Sequence, residues 1–278
     1  MNTQTHTPKQ WFLIRIISII ILVGILFAVS SMRGSPSVTD TTPSLKTFSV
    51  ITQSDKTDFY TLDAQYPSDP LDRDNLISSW AETIINKTKN DWKTGGELQL
   101  SEAQLSAEFP DRPAMQYSRS IDYTQYNSMK LGTVSYVMQN YEFTGGAHGN
   151  TGLQTFTFNK NKNIKLSDVV TITQANAQKL ADTIRTKLTE TLGDMADQGM
   201  IRDGLDCQTI VEDNTSGQYC GHEAIISNLG NFYITDEGVT FIFGQYQVAA
   251  YVAGMPEVTL SWSELASFMN PGFELPLE

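Results

Sequence analysis

The sequence contains few cysteines, few histidines and few basic residues. Among 278 residues there are 2 cysteines, 3 histidines and 19 lysines and arginines, against 31 acidic residues. Lys9 and Arg15 precede residue 32, whereas all acidic residues follow residue 39. The part after residue 32 therefore has 17 basic and 31 acidic residues, a net charge of −14. Such a surface repels nucleic acid and attracts cationic partners, so a nucleic-acid partner is not expected.

Motifs of the common catalytic sites are also missing. The chain has no GxSxG nucleophile elbow, no HExxH zinc helix and no GxxxxGK(S/T) phosphate-binding loop. We therefore expect no metal, no cofactor and no catalytic residue that a motif could identify. An enzyme that acts on wall glycans through an unrecognised site stays open as an alternative.

The two cysteines, Cys207 and Cys220, are 13 positions apart in a polar segment with little periodicity. Only His222 is near them, and a zinc site needs more ligands at close spacing. A disulfide is expected if this region lies outside the cytoplasm, where it would add roughly 3 kcal/mol by closing a short loop. Two free thiols are the alternative.

The N-terminal region predicts a membrane segment. Residues 1–10 are polar, and residues 11–31 are apolar apart from Arg15 and serines. This run predicts a single-pass anchor in the cell membrane, with a cytoplasmic tail before it and the rest of the chain outside. The alternative is a signal peptide cleaved near Ser30, which would release a secreted protein. Residues 32–46, rich in Ser, Thr and Pro, predict a flexible linker.

The rest of the chain contains strand patterns and helix patterns. Strands are predicted over 47–52, 56–66, 115–125, 131–143, 151–159, 231–235, 239–243 and 256–262. Amphipathic helices are predicted over 72–89, with Asp69 or Asp72 as its cap, and over 174–192, capped by Thr173 and ended by Gly193. We predict an α+β fold in two sub-domains of antiparallel sheet, each packed with an amphipathic helix and preceded by one N-terminal membrane helix.

Residues 141–149, Tyr-Glu-Phe-Thr-Gly-Gly-Ala-His-Gly, lie between two predicted strands. Three glycines in five residues indicate a backbone that adopts positive φ or approaches another group closely. His148 has neither a second histidine at ligand spacing nor a general-base partner beside it. It is expected to bond its own backbone in a turn. The alternative is a ligand contact on an adaptable loop.

Two further groups of residues have a structural and a functional interpretation. Residues 236–238, Asp-Glu-Gly, are expected to form a solvated hairpin turn with Gly238 in a left-handed conformation, rather than an acid pair. Tyr246, Tyr251 and Trp262 are typical of a sheet core, with a carbohydrate-stacking surface as the alternative.

Three features together carry a family resemblance: Tyr66-Pro67 before the first helix, the 141–149 block, and the spaced aromatic residues of 232–254. They resemble the extracytoplasmic module of RsiV-type anti-sigma factors, which also precedes the catalytic domain in PdaC-type peptidoglycan deacetylases. The resemblance covers about residues 47–268. It implies a PdaC-like sub-domain over 47–145 and an RsiV-type sub-domain over 146–270.

The resemblance also implies that the module binds lysozyme outside the cell. Ten residues before the membrane segment are too few to fold around a sigma factor, and no catalytic domain is expected after residue 278. We therefore expect a membrane-anchored binding or sensing module at the cell wall. Its ligand would be a cationic, lysozyme-like protein or peptidoglycan, bound through Gly145, Gly146, His148, Tyr246 and Tyr251. A non-catalytic structural envelope protein is a further alternative.

Overall fold

The computed structural model of the protein describes residues 48–93, 104, 107–108, 116–160, 162–212 and 215–273. The predicted cytoplasmic tail (1–10), membrane segment (11–31) and linker (32–46) lie outside these ranges. Within the described part of the chain, no helix has both the length and the apolar composition needed to cross a membrane. The anchor at 11–31 stays a prediction.

The described residues form a mixed α+β fold, as predicted. The strands are β1 (Ser49–Lys56), β2 (Tyr60–Ser68), β3 (Tyr117–Ser128), β4 (Thr133–Phe143), β5 (Asn150–Asn159), β6 (Lys162–Asn163), β7 (Cys207–Glu212), β8 (Thr215–Cys220), β9 (Phe232–Ile234), β10 (Gly238–Ile242) and β11 (Glu257–Ser261). The helices are α1 (Leu76–Trp92), α2 (Leu166–Val169), α3 (Ala177–Leu192), α4 (Gln198–Gly204), α5 (His222–Asn228) and α6 (Trp262–Leu265). Short 3₁₀ turns occupy Gly193–Met195 and Tyr251–Ala253.

Six strands form the main sheet, in the order β1-β2-β3-β4-β5-β6. Its neighbouring strands are antiparallel except for β2 and β3, which are parallel. The prediction of purely antiparallel sheet was therefore wrong at this pair. A parallel pair needs a crossover, and α1 lies in the connection from β2 to β3. The strand patterns could not show this, because periodicity identifies a strand but not its partner.

Helix α1 packs on one face of the main sheet. Ile77, Ala81 and Ile85 are buried on its inner side, as the four-residue spacing predicts. The helix starts at Leu76 rather than at residue 72, and Asn75 occupies the N-cap position instead of Asp69 or Asp72. Asp72 still serves the start of the helix, because its carboxylate accepts hydrogen bonds from the backbone N–H groups of Leu76 (2.8 Å) and Ile77 (2.9 Å).

The hairpin β9–β10 packs on the opposite face of the main sheet, where it contacts a row of serine and threonine hydroxyl groups. Ser135 Oγ lies 2.9 Å from Thr157 Oγ1 and accepts a hydrogen bond from the backbone N–H of Ile234 at 3.1 Å. Thr155 Oγ1 accepts from the N–H of Phe232 at 3.0 Å. These bonds attach the second half of the chain to strands β4 and β5, and they place the loop after β10 beside the glycine-rich loop.

A second sheet, in the order β11-β10-β9, packs with α3. Leu180, Ala181 and Ile184 are fully buried on the inner face of this helix. The helix ends at Gly193 (φ 53°), as predicted. It begins at Ala177, later than the predicted residue 174, and Asn176 rather than Thr173 occupies the N-cap position.

The disulfide is confirmed. Cys207 and Cys220 face each other in the register of the β7–β8 hairpin and are bonded, with Cα atoms 4.2 Å apart. The backbone N–H of Cys220 donates to Gln178 Oε1 of α3 at 2.9 Å. The disulfide therefore joins the base of the hairpin at the point where the hairpin contacts α3.

Candidate functional site

The candidate site lies where the loop between β4 and β5 meets the loop after β10. Two hydrogen bonds join these loops. The backbone N–H of Thr151 donates to Gln245 Oε1 at 2.8 Å, and the hydroxyl of Tyr251 donates to the carbonyl of Gly149 at 3.1 Å. Residues about 100 positions apart in the sequence thus form one surface.

His148, Tyr246 and Tyr251 form an aromatic cluster on this surface. The ring of His148 stacks on Tyr251 with centroids 4.0 Å apart and an interplanar angle of 22°. His148 Nδ1 lies 3.0 Å from the carbonyl of Gly149, and Nε2 lies 3.2 Å from the hydroxyl of Tyr246. A carbonyl only accepts, so Nδ1 carries a proton and donates to Gly149. The local backbone bond expected for His148 is therefore present.

The glycines of the loop have two different physical roles. Gly145 (φ 97°) and Gly146 (φ 95°) adopt positive φ, as the sequence predicts. Gly149 lies close to a side chain instead: an added Cβ would lie 2.4 Å from Cζ of Tyr141, so the Tyr141 ring would have to move. A side chain at Gly145 or Gly146 would therefore strain the backbone of the loop, whereas one at Gly149 would displace Tyr141.

Tyr246 has a strained backbone and an exposed side chain. Its φ is 64°, and half of its surface is accessible to solvent. A bulky residue is rarely left-handed unless its surroundings hold it there. The holding group is Gln247, whose side-chain oxygen accepts from the N–H of Gly244 at 2.9 Å and whose amide donates to the carbonyl of Asn228 at 3.2 Å.

An open groove of about 320 Å³ lies beside the cluster. Its lining residues come from the end of β4, the glycine-rich loop and the start of β5: Asn140, Glu142, Thr144, Gly145, His148, Asn150 and Gly152. The volume is at the lower end of the range of small-ligand sites. The groove therefore has room for one small chemical unit, such as a sugar ring.

An ion pair joins Glu142, which lines the groove, to Arg119 on the neighbouring strand. Arg119 of β3 is directly opposite Glu142 of β4 in the sheet register, and its guanidinium donates to the Glu142 carboxylate. The side chain of Arg119 is only 10% exposed, and its guanidinium lies 5.0 Å from the centre of the Trp92 ring. The two charges neutralise each other, so the groove has no net charge from this pair.

Arg119 also fixes the orientation of Asn140. It donates to Asn140 Oδ1 at 2.9 Å, and because arginine has no acceptor, the amide oxygen must face it. The Asn140 NH₂ group then faces the space above Gly152, where it lies 3.7 Å from the position of an added Cβ. Asn140 thus presents hydrogen-bond donors to the groove.

Arg119, Asn140, Glu142, Asn150 and Gly152 were not among the sequence-predicted site residues. The sequence of β4 contains a pattern that could have identified two of them, Asn140 and Glu142. Positions 134, 136 and 138 are buried and apolar, whereas positions 140 and 142 on the same face are polar. A switch from apolar to polar side chains at a spacing of two marks the place where the core ends and a surface site begins.

Trp262 lies apart from the predicted aromatic group. Tyr246 and Tyr251 are together, but Trp262 stacks on Phe273 at 5.9 Å and donates from Nε1 to the carbonyl of Asp236 at 3.2 Å. Trp262 stands beside the β9–β10 turn because it follows β11, which is paired with β10.

The expected solvated turn at 236–238 needs two corrections. Asp236 joins this turn to the β3–β4 turn, because its carboxylate accepts hydrogen bonds from Ser128 Oγ (2.6 Å) and from the N–H of Lys130 (3.0 Å). These bonds lower the pKa of Asp236. Gly238 does not have positive φ. Its Cβ would lie 2.0 Å from the carbonyl oxygen of Leu260, so it is needed for the approach of β11.

Comparison with protein families identifies the class of module. Residues 53–151 match the family described as Deacetylase PdaC, and residues 167–263 match the family described as protein of unknown function DUF3298. The predicted resemblance is confirmed: a PdaC-like region is followed by a DUF3298 region. No curated protein matches the chain. Among the described residues, no three His, Cys, Asp or Glu side chains are placed to hold a metal ion.

Two crystal structures of DUF3298 family proteins have a similar fold. The protein from Bacteroides fragilis NCTC 9343 aligns with a TM-score of 0.53 at 18% identity, covering 81% of this chain and 94% of that one. The protein from Pseudomonas aeruginosa PAO1 aligns with a TM-score of 0.51 at 14% identity, covering 81% and 95%. At such identities the similarity concerns the fold alone.

Proposed function

We propose that this protein is an extracytoplasmic binding or sensing module, anchored in the cell membrane by residues 11–31, which binds a cell-wall ligand in the groove beside His148. The main support is Tyr246. Its left-handed backbone costs on the order of 1–3 kcal/mol, and its ring gains little from burial because half of it is exposed. The rings of His148 and Tyr251 contact part of this side chain, and its exposed part is available to a ligand.

The chemistry of the groove favours the glycan strand of peptidoglycan. The charges of Arg119 and Glu142 neutralise each other, and beside His148 the lining offers three uncharged polar side chains, the amides of Asn140 and Asn150 and the hydroxyl of Thr144. Sugar hydroxyl and acetamido groups exchange hydrogen bonds with such side chains. The apolar face of a sugar ring packs against an aromatic ring, and Tyr246 offers one at the edge of the groove.

A cationic, lysozyme-like protein is the second candidate. The net charge of −14 after residue 32 would draw a basic partner toward this surface. Tyr246 and Val252, the latter 80% exposed, provide the aromatic and aliphatic contacts that protein interfaces use. The resemblance to RsiV-type modules points the same way.

Gly152→Leu tests whether the groove is the binding site. The new side chain would enter the groove, and its Cβ would meet nothing closer than 3.7 Å, so the backbone should not be strained. We expect the full-length protein, in uncharged detergent, to lose at least about tenfold in affinity for purified peptidoglycan, or about 1.4 kcal/mol. Co-sedimentation measures this loss.

Gly221→Leu is the matched control. An added Cβ at Gly221 meets nothing within 4 Å, and the residue lies outside the groove. Binding by this variant should equal that of the unmodified protein, and both variants should keep its melting temperature. If lysozyme binds and peptidoglycan does not, the ligand is the protein. If neither binds below about 1 mM at low salt, the binding proposal is wrong.

The location can be tested separately. Protease added to intact cells should remove the chain after residue 40 and leave residues 1–10 protected, since Lys9 and Arg15 favour a cytoplasmic N-terminus. Protection of the region after residue 40 would contradict the proposed orientation. Release of the whole domain into the medium would instead support cleavage near Ser30.

A further inference from the structure

A second cavity of about 480 Å³ lies at the other end of strands β4 and β5. It is formed by the β3–β4 turn, the β5–β6 turn and residues 270–273, and its lining includes Lys130, Lys160 and Lys162. Because β4 has 11 residues, the two sites are separated by roughly 30 Å along the strands. We call this cavity the lysine pocket. It shares no lining residue with the groove beside His148, which is called the wall-binding groove below.

Hydrogen bonds fix the frame of the lysine pocket. Asn159 Nδ2 donates to the carbonyl of Leu131 at 2.8 Å, which ties the end of β5 to the β3–β4 turn. Asp236 accepts from the N–H of Lys130 and ties the same turn to the β9–β10 turn. Phe273, on the third wall, stacks on Trp262. The pocket is therefore a preformed feature of the fold, and a ligand would not have to order its walls.

The charge of the lysine pocket is opposite to that of the protein. Lys130, Lys160 and Lys162 line it, and the one carboxylate among its described lining residues, Asp168, forms an ion pair with Lys162 at 2.8 Å. Asp236 lies beside Lys130. No carboxylate among the described residues is within ion-pair distance of Lys160. Among the described residues, three lysines and two carboxylates give this pocket a net charge of +1, whereas the whole chain after residue 32 carries −14.

We propose that the lysine pocket binds a phosphorylated sugar or polyol. Lysine ammonium groups are donors that bind phosphate oxygens as point charges, and three lysines line this cavity, of which Lys162 also pairs with Asp168. The volume exceeds what a phosphate ion fills, so the ligand has a body as well as a charged group. Amide side chains of Asn159 and Asn270 and the ring of Phe273 line the rest of the pocket and suit a hydroxylated carbon skeleton.

Calorimetric titration of the full-length protein in uncharged detergent tests this proposal with glucose 6-phosphate. We expect a dissociation constant of about 1 mM at low salt, weakening as salt rises because exposed charges are screened. Glucose should give no signal, since it lacks the phosphate, and inorganic phosphate should bind more weakly, since it lacks the body. Equal binding of glucose and glucose 6-phosphate would overturn the proposal.

A double substitution locates the site. Lys130→Gln with Lys160→Gln should weaken glucose 6-phosphate binding about tenfold, and Lys56→Gln with Lys93→Gln, an equal loss of exposed charge elsewhere, should change it less than twofold. Equal losses in both double variants would show a general charge effect and contradict the site.

Two further measurements distinguish the lysine pocket from the wall-binding groove and from a membrane contact. Gly152→Leu should leave phosphate binding unchanged, so failure of the wall-binding proposal and failure of this one give different results. Vesicles of phosphatidylglycerol distinguish the two sources of a phosphate ester. If the vesicles bind through the lysines and the soluble phosphate ester does not, the lysines serve a membrane contact and the proposed pocket ligand is wrong.

Discussion

The two hydrophobic cores of this protein differ in the kind of aromatic side chain they bury. The core between α1 and the main sheet contains four buried tyrosines, a tryptophan and a single phenylalanine: Tyr60, Tyr66, Trp92, Tyr117, Tyr136 and Phe158. The core around α3 and the three-stranded sheet contains buried phenylalanines instead: Phe232, Phe241, Phe243 and Phe268. The first core must therefore provide partners for hydroxyl groups, whereas the second depends on apolar packing and on the disulfide.

Hydrogen bonds at the margin of the first core meet this requirement. The hydroxyl of Tyr136, which is fully buried, donates to Asp69 Oδ2 at 2.6 Å. The hydroxyl of Tyr60 donates to Asp55 at 2.8 Å. Burial, followed by the contact with Asp55, raises the pKa of Tyr60 to about 12. A core of this kind is sensitive to the loss of single polar atoms and to alkaline pH, and a phenylalanine core is not.

The largest effect is expected from a cavity in the second core. Leu180 is fully buried, so Leu180→Ala should lower the free energy of unfolding by about 4 kcal/mol. Urea denaturation measures the change. Met195→Ala is the control, because Met195 is 50% exposed, and it should change the free energy of unfolding by less than about 0.5 kcal/mol. A loss below about 1 kcal/mol would show that this core is not tightly packed.

Removal of the disulfide should have the next largest effect. Replacing both Cys207 and Cys220 by serine should cost about 3 kcal/mol, because the unfolded chain regains the freedom of a loop closed across 13 positions. The first core should keep its structure at moderate denaturant, which the near-ultraviolet circular dichroism of its tyrosines reports. Equal loosening of both cores would contradict a separate role for the disulfide.

Tyr136→Phe tests the polar margin of the first core. The substitution keeps the ring and removes one hydroxyl, which leaves an oxygen of Asp69 without its donor, and should cost about 2 kcal/mol. Tyr126→Phe is the matched control, since Tyr126 stacks on Tyr233 and its hydroxyl makes no hydrogen bond to a described residue. Its effect should stay within about 0.5 kcal/mol. Equal losses in the two variants would show that the hydrogen bond to Asp69 does not add to the free energy of unfolding.

The smallest effect at neutral pH, and the most selective, concerns Tyr60. Its pKa is raised to about 12 in the fold, so the folded state holds the proton more tightly than the unfolded chain, whose tyrosines ionise near 10. The stabilisation is complete below pH 10 and is lost as the pH rises toward 12. Thermal unfolding between pH 9 and 12 should show this loss, and Tyr60→Phe should reduce it. An unchanged pH profile in that variant would contradict the assignment.

The sequence predicts the elements well and their partners poorly. Periodicity identifies α1 and α3, and the compartment argument identifies the bond between Cys207 and Cys220. Periodicity cannot identify the parallel pairing of β2 with β3, because pairing depends on the crossover. It also misreads Gly238, whose need for a small residue comes from a strand 22 positions later in the chain, at Leu260.

The candidate site is predictable to a similar extent. The glycine-rich loop, His148, Tyr246 and Tyr251 are all found from sequence and are together in the fold. The polar contacts beside the groove are not found, because Arg119 and Asn140 belong to strands whose register alone brings them into contact. Local patterns identify residues that bend the chain or expose a ring, but contacts between neighbouring strands are a property of the sheet.

Strand β5 determines how the protein can be divided for expression. It follows the sub-domain boundary expected at residues 145 and 146, yet its whole length pairs with β4. The first pair joins Asn150 to Glu142, and the last joins Asn159 to Thr133. A recombinant fragment that stops at residue 145 would expose one whole edge of β4, whose first six residues are buried in the intact sheet. An open apolar edge of that length recruits other chains and aggregates. A soluble fragment must therefore include Asn159, and dividing the chain at the apparent boundary should yield inclusion bodies rather than two domains.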